Sequence, residues 1–168
     1  GFIWNRWRVT NRQKSVIEKQ KVIVDEKNRI IEEKNKNITD SINYAKRIQL
    51  AKLPKLEEIN VSLPQNFILY KPKDIVSGDF YFFHKNDQSV FIAAADCTGH
   101  GVPGAIISMI CYEKLDDALA HSADISEILR HVNKGIKVSL HQTDSNESTR
   151  DGMDIALCSV DTDARVVK

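Results

Sequence analysis

No proline precedes Pro54, and after Gly1 no glycine precedes Gly78. The two residues that most often interrupt a helix are missing from the start of the chain, which excludes a loop-rich opening. Cysteine is scarce as well. Cys97, Cys111 and Cys158 are odd in number and lack metal-ligand spacing, which argues against a disulfide scaffold and fits a reducing compartment. No apolar run is long enough to span a bilayer. Neither sign of charge dominates: 24 Lys and Arg against 23 Asp and Glu leave a net charge of +1, which gives no reason to expect a nucleic-acid partner.

What is present is unevenly spread. The 168 residues suffice for one compact domain and a long helix. Up to Lys55 the chain is strongly polar; beyond it come aromatics, Gly, Pro and short apolar runs. Residues 1–9 place Phe2, Ile3, Trp4 and Trp7 among Arg6 and Arg8, with no acid before Glu18. Tryptophan beside arginine is an interfacial pattern and reads as a juxtamembrane segment; the competing reading is two stray tryptophans at a chain edge.

From Asn5 to Leu53 nothing breaks a helix, and Pro54 ends it. Val16-Ile17, Ile23-Val24, Ile30-Ile31 and Asn37-Ile38 recur every seven residues, the period of a left-handed coiled coil. Residues 10–40 are therefore expected to be a signalling coiled coil. Its narrow stripe needs a partner, most simply a second copy in a homodimer. Asn37 interrupts the stripe and could fix register. Residues 41–55 carry a broader apolar face (Ile42, Ala45, Ile48, Leu50) and form an expected linker or switch helix, leading to a globular domain over 56–168.

In that domain Asn60–Leu63, Phe67–Tyr70, Val76–Phe83, Val90–Ala95 and Met153–Val160 read as strands. Helices are expected over 104–119, with Pro103 at the start, and over Ser126–His141. Lys85–Ser89, with Asp87, reads as a hairpin turn, Gln142–Arg150 as a mobile loop, and Asp161-Thr162-Asp163 as a turn. Hairpin strands with helices grouped together predict an α+β fold around an antiparallel sheet.

Asp79 lies near the start of one strand and Asp96 at the end of the next. If the intervening run is a hairpin, both meet at one sheet edge. Carboxylates that close repel unless a cation sits between them, and all-oxygen ligation favours Mg²⁺ or Mn²⁺. Gly78, Gly99, His100 and Gly101 would shape the site. Against this stands the reading of two ordinary strand-end acids.

Gly99-His100-Gly101-Val102-Pro103-Gly104 also has the form of a dinucleotide fingerprint. No parallel strand ending in an acid follows, and Asp96 would repel pyrophosphate, so the form is discounted. His84, His121, His131 and His141 show no ligand spacing. Cys97 has no nearby base to make it a nucleophile and reads as a small buried residue.

Four segments in order carry a family resemblance: Ser41-Ile42-Asn43-Tyr44-Ala45-Lys46-Arg47-Ile48-Gln49 with Leu53-Pro54; Lys71 to Tyr81; Ala95 to Gly104; and Arg150 to Leu157. Together they resemble the SpoIIE-type phosphatases of the PP2C-like group. The resemblance implies a β-sandwich flanked by helices, of which this chain would hold an incomplete part. It implies hydrolysis of phosphoserine or phosphothreonine on a partner protein, often a STAS-type anti-sigma antagonist. Two Mn²⁺ or Mg²⁺ ions would activate a bridging water. By motif match Asp79 ligates one ion, Asp96 bridges both, and the backbone carbonyl of Cys97 replaces a glycine carbonyl; Lys71 or Lys73 would help hold the phosphate. The implied setting is the cytoplasmic part of a membrane-anchored bacterial sensor.

The family's later acids lie beyond Lys168, and Asp151 and Asp154 are not obvious substitutes, since Met153–Leu157 reads as a structural strand. The expectation is an enzyme in the parent protein, with this chain alone weakly active or inactive. The alternative is a non-catalytic module for coiled-coil dimerisation and protein binding.

Overall fold

A computed structural model describes residues 2–86, 89–143, 150–161 and 164–168. Asp87, the loop over 144–149, and Thr162-Asp163 of the expected turn lie outside the described residues. The chain divides into two units, Gly1–Ser41 and Ile42–Lys168.

Helix α1 runs over Phe2–Lys52, and the lack of Gly and Pro explains its length. In the first unit, the apolar members of the seven-residue repeat are all exposed on the single chain. Around them the helix is laced by local charge pairs. Arg29 meets Glu26 at 2.8 Å and Glu33 at 3.8 Å, and the Arg8 guanidinium sits 4.9 Å over the Trp4 ring. No described helix is long and apolar enough to cross a membrane.

The second unit begins within the last turns of α1, so residues 42–52 pack with the domain. There Gln49 and Leu53 are buried. After Pro54 come a short helix α2 (Leu56–Ser62), strands β1 (Phe80–Lys85) and β2 (Val90–Cys97), helices α3 (Gly101–Leu119) and α4 (Ile125–Ser139), and strands β3 (Met153–Asp161) and β4 (Val166–Val167). The four strands form one antiparallel sheet in the order β1-β2-β3-β4. This is the α+β fold that the residue pattern predicts.

The strand expected over Val76–Phe83 runs instead over Phe80–Lys85, and three further expectations shift. Asn60–Leu63 is not a strand: Leu56–Ser62 is helical and buries Ile59 while leaving Val61 exposed. Phe67–Tyr70 is not a strand either. Phe67 and Leu69 are 90% and 86% exposed, with no strand beside them among the described residues. Alternating apolar residues make a strand only where a neighbouring edge takes up their backbone groups. The third shift is in the helix starts. α3 begins at Gly101, which puts Pro103 in the first turn, where its missing N–H has no intrahelical partner to lose. α4 begins at Ile125 because Asp124 caps it, its Oδ1 accepting the Glu127 N–H at 3.0 Å.

Strand alternation sends Phe80, Phe82, Phe91, Ala93, Ala95 and Cys97 to one face of the sheet. There they join Cys111 and Leu115 of α3 and Ile128, Val132 and Ile136 of α4 in a single core. Tyr81, Ile92, Ala94, Ala156 and Cys158 occupy the opposite face, which stays partly open. One sheet with its helical layer is thus in place.

Phe91 has no exposed surface. Phe91→Ala is expected to destabilise the domain by about 3–5 kcal/mol in urea unfolding. Val61→Ala, on the exposed side of α2, is expected to stay within about 0.5 kcal/mol.

Candidate active site

The register pairs Phe80 with Ala95. One step further along the same ladder sets Asp79, the residue before β1, opposite Asp96. Their carboxyl groups are close enough to interact, and two carboxylates that near repel unless a proton or a cation sits between them. Partial burial, then the neighbouring Asp96 carboxyl, push the Asp79 carboxyl above the usual range. The juxtaposition read from the hairpin is therefore present.

Asp96 sits between two hollows. One, of about 190 Å³, is lined by Lys73, Asp74, Asp79, Asp96 and His100 among others. The other, of about 500 Å³, is lined by Asp96, Cys97, Thr98, Arg150, Gly152 and Asp154 among others. Lys73, not Lys71, lies at the first hollow.

The glycines act through close approach. A Cβ on Gly78 would lie 2.6 Å from the Gly99 carbonyl oxygen and 3.2 Å from that of Cys97; one on Gly104 would lie 2.5 Å from the Gly99 oxygen. Only bare backbone allows these carbonyls to crowd beside Asp79 and Asp96. Gly99 and Gly101 take φ of 87° and 62°. His100 precedes α3 and is exposed, its Nδ1 2.9 Å from Asp74 Oδ2.

Cys97 and Cys111 are both buried in the same core. The neighbouring Cys111 thiol, then burial and the nearby carboxylates, drive the Cys97 thiol far above its ordinary pKa, so it is no nucleophile.

Two features escape the sequence reading. β3 pairs Asp154 directly with Asp96, so a third carboxylate stands at the same end of the sheet. Met153 and Ile155 do pack on the core; the intervening Asp154 faces the other way. Sequence could have shown this through the alternation of β3, had its register with β2 been known. Even so, among the described residues no three His, Cys, Asp or Glu side chains draw together as a metal-holding group.

The second is Gln49. This buried amide of α1 donates Nε2–H to the Ser77 carbonyl at 2.6 Å and to Ser108 Oγ at 2.9 Å, and its Oε1 accepts the Ser77 N–H at 3.0 Å. Ser77 Oγ in turn accepts the Asp79 N–H at 3.0 Å. Two hydrogen-bond links thus join α1 to the carboxylate pair.

The helix after β2 leads to a second helix and not to a parallel strand, which removes the dinucleotide-binding reading. Residues 86–168 match the family Stage II sporulation protein E (SpoIIE). That stretch, just under half of the chain, is SpoIIE-like in sequence. Phosphoserine phosphatase RsbU of Bacillus subtilis (strain 168) is 31% identical over 87 residues, 51% of this chain and 24% of RsbU. Among solved structures, the SiaA-PP2C domain of Pseudomonas aeruginosa is similar with a TM-score of 0.65 and 36% identity, over 76% of this chain and 50% of that one. The chain thus spans about a quarter of RsbU and half of the SiaA domain, and its SpoIIE-type sequence sits on a PP2C-like fold.

Gln49 and Asp79 each give a measurable expectation. Gln49→Ala leaves the buried N–H and carbonyl of Ser77 short of partners, so it is expected to cost about 1–3 kcal/mol. It is also expected to speed amide exchange at residues 77–79, measured by hydrogen–deuterium exchange. The second concerns pH. A carboxyl whose folded pKa exceeds its unfolded value holds an extra proton in the folded state between the two. Without divalent metal, stability is therefore expected to fall as pH rises from about 4. Asp79→Asn should flatten that fall, as read from urea midpoints across the pH series.

Proposed function

We propose that the chain is the regulatory helix and first part of the catalytic domain of a Mn²⁺- or Mg²⁺-dependent phosphatase acting on phosphoserine or phosphothreonine in a partner protein. The observation that carries this reading is the Asp79–Asp96 carboxyl pair, set side by side across β1 and β2. Two adjacent carboxylates at one sheet edge, each raising the cost of the other's charge, form a site that a hard divalent ion fits. Asp79, Asp96 and the Cys97 carbonyl would hold the ions, two in number by the family's pattern, and Asp154 would add a carboxylate at the same edge. Such ions, when bound, lower the pKa of water and neutralise charge on the phosphoryl oxygens. Arg150 and Lys73, each lining a hollow beside Asp96, would orient the phosphate by charge. Asp74 would keep the His100 ring in place beside the site.

Regulation is part of the proposal. The heptad stripe on residues 10–40 would close against a second copy in a homodimer, and the Gln49–Ser77–Asp79 links would carry its register to the carboxylate pair. The arginine- and tryptophan-rich start would lie at a membrane surface on the cytoplasmic side of a bacterial sensor. The phosphoprotein partner would be of the STAS-type antagonist class. The second reading, a non-catalytic module for dimerisation and protein binding, is favoured by the absence of a three-ligand group among the described residues.

Titration calorimetry with MnCl₂ separates the two. The phosphatase reading expects saturable heat that Asp96→Asn weakens by more than about tenfold, the scale that even outer-shell changes reach. Equal affinity in both proteins would remove Asp96 from the site and favour the binding module.

A further inference from the structure

Helix α4 turns Ile128, Val132 and Ile136 into the core. By the same geometry Arg130, Lys134 and Lys137 fall along one outward stripe. All three are exposed, and none is paired with a carboxylate among the described residues. The nearby acids are engaged elsewhere. Asp117 meets Lys114 at 3.3 Å, Glu127 accepts the Ser122 hydroxyl at 2.7 Å, and Asp124 caps the helix. The stripe is thus a line of three cations with no carboxylate in ion-pair contact among the described residues, and with Glu127 and Asp124 at its start.

The surface beside it is concave. A hollow of about 450 Å³ is lined by Arg130, Asn133, Lys134, Lys137, Val138 and His141 among others. Val138 gives it an apolar wall and is 68% exposed. The hollow also connects to the carboxylate site. Gln142, at its rim, donates its amide to the Asp151 carbonyl. The next residue, Gly152, donates its N–H to Thr98 Oγ1 at 3.0 Å and accepts the Thr98 N–H at 2.9 Å. Thr98 and Gly152 line the cavity that holds Asp96.

We propose that the Arg130–Lys134–Lys137 stripe and the hollow beside Val138 dock an acidic segment of the phosphoprotein substrate, a segment that also carries one apolar side chain. The identity of the partner as substrate rests on the phosphatase reading; the docking of an acidic segment does not. Carboxylates spaced along the segment meet the three cations, and the apolar side chain covers Val138. Nucleic acid fits less well. Three cations on one stripe, with Glu127 and Asp124 at its start, are a narrow field beside the broad basic surface that a phosphate backbone requires.

The test uses the full chain and fluorescence anisotropy with two synthetic phosphoserine peptides, one extended by alternating glutamates and a leucine, the other not. The extended peptide is expected to bind at least about tenfold tighter, with the gain shrinking as salt rises, as rim charges do. Arg130→Glu with Lys134→Glu should abolish the gain; Arg130→Gln with Lys134→Gln, which spares the fold from charge reversal, should remove most of it. A gain that persists in both variants, or none in the unaltered chain, overturns the proposal. So does single-stranded DNA that displaces the peptide more strongly than free glutamate peptide does. A peptide with alanine for phosphoserine keeps the two readings apart: an intact gain from the acidic extension upholds docking even where the phosphate adds nothing and the phosphatase reading fails.

Discussion

Two carboxylates that face each other across paired strands carry an electrostatic cost that a protein keeps only with a proton or a cation to offset it. Asp79 and Asp96 stand in that relation, and the local structure is arranged around it. β1 and β2 fix their separation by register. Gly78 and Gly104 clear space for two backbone carbonyls beside them. Both acids are exposed, so water reaches the pair, and it is partial burial together with their closeness that raises the Asp79 carboxyl. The hydrophobic core beneath the sheet, centred on Phe91, Leu115 and Ile128, gives these short-range placements their rigidity.

The same pair explains why a helix remote in sequence matters to the site. Gln49 spends three hydrogen bonds on Ser77 and Ser108, and Ser77 holds the backbone of Asp79. A buried amide is costly to leave unsatisfied, so the position of this part of α1 and the position of Asp79 are energetically joined. Any shift of α1 in its last turns must either carry the Ser77–Asp79 segment along or break those bonds. In the proposed signalling role, that joining is what converts a helix register into the geometry of two carboxylates.

How much of this was legible in the residues depended on what each feature needs. The long helix was, because missing Gly and Pro act locally. The hairpin and its two acids were, because a short polar run between apolar strands nearly dictates antiparallel pairing. The capping of α4 by Asp124 was available in the Asp-x-x-Glu spacing and went unused, which placed the helix start one residue late. The failed strands at 60–63 and 67–70 show the limit of alternation: the first falls largely in a helix, and no edge among the described residues receives the second. Asp154 and Gln49 were hidden for a different reason. Each acts through a partner far along the chain, Asp96 for one and Ser77 for the other, and such pairing follows from the fold, not from spacing.

Paramagnetic broadening by Mn²⁺ in the amide spectrum of the isotope-labelled chain tests the central claim most directly. Substoichiometric Mn²⁺ should first broaden the resonances of residues 78–79, 96–99 and 152–154, where the carboxylates and crowded carbonyls converge. Broadening that begins along α1 or α4, or none at all at these positions, would contradict the account.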